Sequence, residues 1–141
     1  MERRKNQAGR KRTPLVPRVK VWLETEGHYA LGFGLCQILE AVAQAGSIKQ
    51  GARDLGKSYR YVWGRIKEAE RALAQRLVET RVGGQGVARS ALTPLARRLV
   101  NDFLAVRRRV QEIAAQEFAR RFTWPILTPG RRRQRENEGT L

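Results

Sequence analysis

A chain of 141 residues is long enough for one folded domain with tails and short for two domains. Its 29 Lys and Arg residues against 13 Asp and Glu residues give a net charge of +16, which is more than solubility requires and indicates a polyanionic partner. With a single cysteine, Cys36, and a single histidine, His28, the chain has neither an internal disulfide nor the ligand set of a zinc finger, so we expect no metal site and no other cofactor.

The distribution of apolar residues is unlike that of a membrane protein or an exported protein. No stretch of the sequence approaches the roughly 20 apolar residues that span a bilayer. The N-terminus is polar and basic and no apolar segment follows it, which is not the pattern of a secretory signal. We therefore expect a cytoplasmic protein without a membrane partner.

The N-terminal segment divides into a basic arm and a β-hairpin. Residues 1–18 are rich in Lys and Arg, contain two prolines and have no apolar periodicity, so we expect them to form a disordered basic arm. Such an arm either adds contacts to phosphates or serves only as a solubilising tail. From Val19 to Glu24 apolar and polar residues alternate, which predicts a strand that turns and returns over residues 28–31.

Three helices are predicted to follow the hairpin. The first carries apolar residues at helical spacing and ends at Gly46. Ser47 and Gln50 match a capping box at the start of the second helix, in which the serine hydroxyl binds the N–H of residue 50 and the glutamine side chain reaches back to residue 47. Gly56 ends this helix with a sharp turn, and Ser58 caps the third helix. The apolar residues of the third helix form one buried stripe, with Trp63 beside it in the core: Val62, Ile66, Ala69 and Leu73.

Two short helices joined by a turn that contains glycine are the helix-turn-helix arrangement, and a hairpin directly after them forms a wing. Residues 77–82 have strand composition, residues 83–86 form a glycine-rich connector, and residues 87–92 can return as the partner strand. Arg81 and Arg89 flank the tip. A phosphate cradle for a nucleotide is an alternative use of the connector, but the connector lacks the Lys-Ser or Lys-Thr pair of a P-loop and does not lead from a strand into a helix.

The last predicted element is a long helix from Leu95 to about Arg121, with Thr93 as its cap and Pro94 at its first position. Its apolar residues follow alternating steps of three and four, and a helix of this length cannot bury the whole seam on one small domain. We therefore expect a homodimer interface formed by Leu99, Phe103, Val106, Val110 and Ile113. The alternative is a helix that folds back on its own core. Residues 123–141 are expected to form a flexible basic tail.

Three segments carry a resemblance to a known family: GSIKQGARDLGKSYRYVWGRIKEAE (46–70), RLVETRVGGQG (76–86) and LTP (92–94). Over about Val19 to Phe118 the chain resembles the N-terminal DNA-binding domain of the ModE family of molybdate-responsive transcription regulators and, more distantly, the LysR-type winged helix-turn-helix. The resemblance implies a mainly α fold with small β-hairpins and a long C-terminal dimerisation helix, in a bacterial or archaeal regulator. Family members carry oxyanion-binding modules after this domain. We do not expect molybdate binding by this chain, because it ends where those modules would begin.

The helix-turn-helix arrangement assigns roles to the polar side chains. The N-terminal part of the second helix of the motif lies in the major groove and reaches base edges. We expect the DNA contacts of this helix from Ser58, Tyr59, Arg60, Tyr61 and, one turn later, Arg65. Arg60 is the first candidate for a bidentate contact with guanine. Gln50 and Lys57 suit phosphates better than bases, and the wing would reach the backbone or the minor groove through Arg81, Gln85 and Arg89.

The sequence therefore predicts a sequence-specific transcription regulator that binds a palindromic operator in double-stranded DNA as a dimer, without a molybdate-binding module of its own. The predicted parts are the arm (1–18), the winged helix-turn-helix domain (19–93), the dimerisation helix (94–122) and the tail (123–141). The alternatives are an architectural, nucleoid-type protein with little sequence preference and a sensor that binds an oxyanion between subunits. We do not expect an enzyme, because no nucleophile has a base beside it and Cys36 is expected to be a packing residue.

Overall fold

The computed structural model describes residues 12–84, 86, 88–123 and 127–129. The chain divides into two units, one of Val19–Glu112 and one of Met1–Arg18 with Ile113–Leu141. The predictions for residues 1–11 of the arm and for residues 130–141 of the tail lie outside the described residues. The elements, in chain order, are β1 (Arg12–Pro14), β2 (Trp22–Thr25), β3 (His28–Gly32), α1 (Phe33–Ala45), α2 (Ile48–Asp54), α3 (Tyr59–Leu73), β4 (Val78–Val82), β5 (Ala88–Leu92), α4 (Pro94–Arg121) and β6 (Leu127–Pro129).

Helices α1, α2 and α3 pack together because each has one apolar face, and the prediction of three helices is confirmed. Gly46 follows α1 with a φ of 75°, and Gly56 follows the last turn of α2 with a φ of 65°. Both are left-handed conformations that favour glycine, so each glycine ends its helix and redirects the chain. The buried side chains of the three helices include Leu35, Leu39, Val42, Ile48, Ala52, Val62, Ile66 and Ala69.

Strands β2 and β3 form the predicted antiparallel hairpin. The turn residues Glu26 and Gly27 have φ values of 50° and 77°, as a two-residue turn with two left-handed positions requires. The strand β2 begins at Trp22 rather than at Val19, and a bulge between Leu23 and Glu24 interrupts its register. The alternation of side chains therefore breaks at this point, and Leu23, which the sequence places on the buried face, is 42% exposed.

Helix α4 begins at Pro94 and ends at Arg121, as the sequence predicts. The hydroxyl of Thr93 accepts a hydrogen bond from the N–H of Ala96 at 3.1 Å, which makes Thr93 the expected cap. Proline suits the first helical position because the N–H that it lacks has no partner there.

The apolar seam of α4 is divided between the core and the surface. Phe103, which the sequence assigns to a dimer interface, is only 3% exposed and packs in the core of its own chain, so the prediction is wrong for this residue. Leu99 packs partly against the same core, because the domain covers more of the helix than expected. Beyond Leu104 no described residue of α4 is buried, and Val106 and Ile113 are 52% and 48% exposed.

The second unit contains an antiparallel pair of short strands, β1 and β6, in which Thr13 lies opposite Thr128. Both strands fall in segments that the sequence assigns to a disordered arm and a flexible tail, so these residues depart from that expectation. Three residues on each strand are too few for a period of two to be recognised in a sequence. Near the end of α4 the rings of Phe118 and Phe122 stack with their centroids 4.5 Å apart.

Candidate nucleic-acid interface

Helix α3 presents its N-terminal end to solvent. The hydroxyl of Ser58 accepts a hydrogen bond from the N–H of Tyr61 at 3.1 Å, so the cap predicted for this helix is present. Tyr59, Arg60 and Tyr61, the first three helical residues, are all exposed. The positive end of the helix dipole adds to the charge of the side chains here, which makes this end suited to a polyanion.

Two cations at this end have no acidic partner. The guanidinium of Arg60 makes no hydrogen bond or ion pair with any residue that the structure describes. Lys57 lies in the turn before α3, with its Nζ 5.6 Å from the ring centroid of Tyr61. This cation–π contact holds the lysine near the start of the helix without neutralising its charge.

Arg65 lies on a different side of α3 from Arg60, although the sequence places both at the DNA. A separation of five residues rotates a side chain by about 140° around a helix. The guanidinium of Arg65 lies 5.1 Å from the ring centroid of Tyr29 in β3, and its Nη1 is 3.2 Å from a carboxylate oxygen of Glu68. Burial raises the pKa of the Tyr29 hydroxyl, and the charge of Arg65 only partly offsets this effect. Arg65 therefore joins β3 to α3.

Helix α2 supports α3 and crosses α1 closely at Gly51. A Cβ at Gly51 would lie 3.0 Å from the backbone nitrogen of Val42, which is a tight contact, so this crossing favours a glycine. The Ser47 hydroxyl accepts a hydrogen bond from the N–H of Gln50 at 3.1 Å, but the side-chain amide of Gln50 donates to Asp54 at 2.8 Å. Only half of the predicted capping box is formed, because the carboxylate one turn later attracts the glutamine side chain.

The wing is the antiparallel pair of β4 and β5, as predicted. Its register sets Arg81 directly opposite Arg89, and both side chains are exposed. Like charges in directly opposite positions destabilise a strand pair, and neither arginine has an ion pair within the described part of the chain. They line a surface depression together with Arg97 and Glu79. Gln85, the residue predicted at the tip, lies outside the described residues.

Glu70 joins the C-terminal half of α3 to the base of the wing. Its Oε1 accepts hydrogen bonds from the N–H groups of Leu77 at 3.0 Å and Val78 at 3.2 Å, and its Oε2 accepts one from Lys67 at 3.0 Å. Burial alone would raise the pKa of Glu70, but these hydrogen bonds and the charge of Lys67 outweigh burial and hold the pKa below its ordinary value. Sequence reasoning missed this residue. The signal in the sequence that could have identified Glu70 was the presence of an acidic residue four positions after Ile66, beside the buried stripe of α3.

Further hydrogen bonds fix the wing to the helical part. The N–H of Ser90 in β5 donates to the carbonyl of Gly46 at 2.8 Å, and the hydroxyls of Ser90 and Thr80 are 3.0 Å apart. At the base of the wing the hydroxyl of Thr93 donates to the carbonyl of Arg76 at 2.9 Å. Since Gly46 directly precedes the cap of α2, the wing strand β5 lies beside the N-terminal end of that helix.

Two residues that the sequence places in the core have different surroundings. Cys36 is fully buried, and burial together with the charge of Glu40 raises the pKa of its thiol to about 11, so it is a packing residue and not a nucleophile. Trp63 is 44% exposed, so the prediction that it lies in the core is wrong. It lies at the margin of the apolar stripe, where the Nζ of Lys67 is 5.9 Å from its ring centroid.

The described surface offers unpaired cations and exposed aromatic rings as its main chemistry. Among the described residues, no three His, Cys, Asp or Glu side chains come together in a way that would hold a metal ion. In the same part of the chain, no helix has both the length and the apolar composition that crossing a membrane requires.

Residues 33–97 match the family model described as "Bacterial regulatory helix-turn-helix protein, lysR family". The matched range begins at the first residue of α1 and ends in the first turn of α4. It therefore contains α3 with the free cation Arg60 and the whole of the wing.

Curated relatives share this region. The chain is 40% identical over 70 residues to the DNA-binding transcriptional dual regulator ModE of Escherichia coli (strain K12), which covers 48% of this chain and 27% of that protein. It is 37% identical over 87 residues to the molybdenum transport protein ModE of Herbaspirillum seropedicae, which covers 62% of this chain and 31% of that protein. The chain thus spans about a quarter to a third of the length of these relatives. Among solved structures, the crystal structure of ArgP from Mycobacterium tuberculosis matches with a TM-score of 0.43 and 23% sequence identity. The match covers 59% of this chain and 29% of the ArgP chain.

Proposed function

We propose that this chain, whose residues 33–97 form a LysR-type helix-turn-helix domain similar to that of ModE regulators, is a sequence-specific DNA-binding module of a transcription regulator. The observation that carries the proposal is the exposed N-terminal end of α3, where Arg60 has no partner within the described chain. In a helix-turn-helix this end of the second helix reaches the base edges. The net charge of +16 supplies the general attraction to phosphates.

Arg60 is the base-reading residue in this proposal. A free guanidinium matches the O6 and N7 acceptors of guanine, and such a bidentate pair discriminates against the wrong base by about 1 to 3 kcal/mol. The remaining contacts of the two helices, to phosphates, sugars or base edges, come from Gln50, Lys57, Ser58, Tyr59 and Tyr61. Arg65 is left out of this set because its guanidinium is held by Tyr29 and Glu68.

The wing binds the DNA backbone or the minor groove beside the recognition helix. Arg81 and Arg89 repel each other in the free protein, and a phosphate between or beside them removes that repulsion. Gln85, which the sequence predicts at the tip, belongs to the same proposal.

We further propose that the second part of α4 forms a homodimer interface. Val106, Val110 and Ile113 recur at the spacing of one helix face, and none of them is buried in the chain itself. Phe103 takes no part, since it is in the core, and Leu99 contributes only its exposed edge. A twofold dimer sets two copies of α3 about one turn of DNA apart, which matches a palindromic operator.

Selection of bound sites from random DNA, followed by footprinting on the best site, tests this function. The expected result is a palindrome with half-sites about 10 base pairs apart, measured centre to centre, and a footprint confined to it. Sedimentation of the free protein at several concentrations checks the dimer. Selection that enriches no sequence at any salt concentration would reject sequence-specific reading.

An architectural, nucleoid-type protein is the second candidate function, and the high net charge favours it. For a protein of this kind, the same footprinting experiment would show even protection along any DNA. The similarity covers only 27% of the Escherichia coli ModE protein and 31% of the Herbaspirillum seropedicae protein, so their names do not assign molybdate binding to this domain. We propose that the domain itself does not bind molybdate, and we expect no heat when molybdate is titrated into the chain in a calorimeter.

A further inference from the structure

Gly64 occupies the interior of α3, where glycine weakens a helix. No heavy atom other than the backbone of the helix and the two neighbouring residues lies within 4 Å of the position that a Cβ would take. Its φ is not in the left-handed region, unlike that of Gly56. The close crossing that explains Gly51 is also absent at Gly64. Neither packing nor backbone conformation in the described chain therefore requires a glycine at this position.

The position of Gly64 on the helix places it on the surface proposed to face DNA. Val62 and Ile66, two residues before and two residues after it, are fully buried. Residues two apart lie on roughly opposite sides of a helix, so Gly64 lies on the side directed away from the core. Gly64 also follows Arg60 by four residues, and side chains at this spacing lie one above the other on the same face.

The side chains after Gly64 are held to the sides of the helix. Glu68, one turn later on the same face, forms an ion pair with Arg65. Lys67 forms an ion pair with Glu70. A short stretch of helix backbone without a side chain therefore lies next to Arg60 on the outer face.

We infer that Gly64 is the point at which α3 comes closest to the bases in the major groove, and that its missing side chain makes room for a base edge such as the methyl group of thymine. This inference rests on the proposed function. A side chain at position 64 holds the helix away from the groove floor. It thereby weakens the contact at Gly64 and also lengthens the reach that Arg60 needs.

Two substitutions of increasing size test this inference, Gly64→Ala and Gly64→Leu, with Gly34→Ala as the matched control. Gly34 is also a helical glycine, in α1, is exposed and has open space where a Cβ would lie. Ala and Leu both favour helices, so thermal unfolding is expected to show a melting temperature raised by about 4 to 8 °C for Gly64→Ala. In the same preparation, the Kd for the selected site is expected to rise roughly tenfold for Ala and on the order of a hundredfold for Leu. The Kd of both Gly64 variants for random DNA is expected to stay within about twofold of wild type. For Gly34→Ala, the Kd for the selected site and the Kd for random DNA are both expected to stay within about twofold of wild type.

The outcomes separate the inference from the function on which it rests. If the wild-type chain enriches no sequence from random DNA, the proposed function fails and the inference fails with it. If the wild-type chain enriches a site and Gly64→Ala binds that site equally well, only the inference is overturned. An equal loss for Ala and Leu also overturns it, because flexibility of the helix, rather than space against DNA, would then be what glycine provides.

Discussion

The two halves of α3, before and after Gly64, both contain basic residues but hold them in different ways. Arg60 in the N-terminal half has no partner within the described chain. In the C-terminal half Arg65 pairs with Glu68 and Lys67 pairs with Glu70. The same residue types therefore bind a partner molecule at one end of the helix, in our proposal, and stabilise the fold at the other end.

This difference shows that the number of basic residues along a helix does not locate a DNA contact. Ion pairs on a surface contribute little to stability individually, but they fix side chains and remove charge from the outer face. Glu70 adds more than a surface pair, because it also accepts hydrogen bonds from the N–H groups of Leu77 and Val78 at the base of the wing. The C-terminal half of α3 thus positions the wing.

The largest effect is expected from Glu70→Ala, which breaks the structural half of the comparison. The substitution leaves two backbone N–H groups at Leu77 and Val78 without their acceptor and Lys67 without its partner, so we expect a loss of about 2 to 3 kcal/mol in the free energy of unfolding. Urea denaturation measures it. The matched control is Glu68→Ala, which removes only an exposed ion pair and is expected to cost less than about 1 kcal/mol. Equal losses for the two variants would show that Glu70 does not anchor the wing.

Arg60→Ala tests the binding half of the comparison. We expect the free energy of binding to the selected site to weaken by about 1 to 3 kcal/mol, with random DNA much less affected, because a base contact carries sequence information and a phosphate contact does not. The stability of the fold should be unchanged, since Arg60 has no partner in the described chain. Gel-shift titrations give both affinities. The control is Arg71→Ala, which removes another exposed arginine of α3. An equal loss of affinity for this variant would mean that Arg60 contributes only its positive charge and not a contact with a base.

Arg65→Ala is expected to have the opposite effect to Arg60→Ala: it should lower the stability of the fold and leave specific DNA binding unchanged. The expected change in free energy is smaller. Loss of the contact with the Tyr29 ring and of the ion pair with Glu68 should cost about 1 kcal/mol of stability. Affinity for the selected site should stay within about twofold of wild type. Thermal unfolding and the same gel shifts decide the point. A variant that keeps its stability and loses specific binding would return Arg65 to the set of DNA-contacting residues that the sequence predicts.

Much of the fold could be predicted because its signals are local. Ser47, Gly56 and Ser58 mark helix ends by the chemistry of single residues, and the buried stripe of α3 follows from its spacing. The long helix α4 was equally visible through Thr93 and Pro94. The exposure of Trp63 could not be predicted, because a residue at the margin of an apolar stripe is buried or exposed according to which residues pack against it.

The surroundings of individual side chains could not be predicted, because they depend on contacts between distant parts of the chain. The contacts of Arg65 include Tyr29 from a separate hairpin, and the two backbone N–H groups that donate to Glu70, those of Leu77 and Val78, lie beyond the end of its helix. The spacing of Phe103 fits a dimer seam as well as a core, and only the packed domain distinguishes the two. The candidate site was therefore predictable as a region but not residue by residue.

The smallest effect expected is a difference in pH dependence between the wild-type chain and Glu70→Gln. Because the pKa of Glu70 is lower in the fold than its ordinary value of 4.5, its carboxylate contributes stability that is present above that value and is lost as the pH falls through the folded pKa. Glutamine keeps an oxygen for the N–H groups of Leu77 and Val78 but takes up no proton. The urea midpoints of the two chains should therefore differ at neutral pH and converge in acid. Glu117, whose pKa is lowered by hydrogen bonds from Arg120 and Arg121, titrates equally in both chains and cancels in the comparison. Midpoints that stay a constant distance apart at every pH would mean that the charge of Glu70 contributes nothing to anchoring the wing.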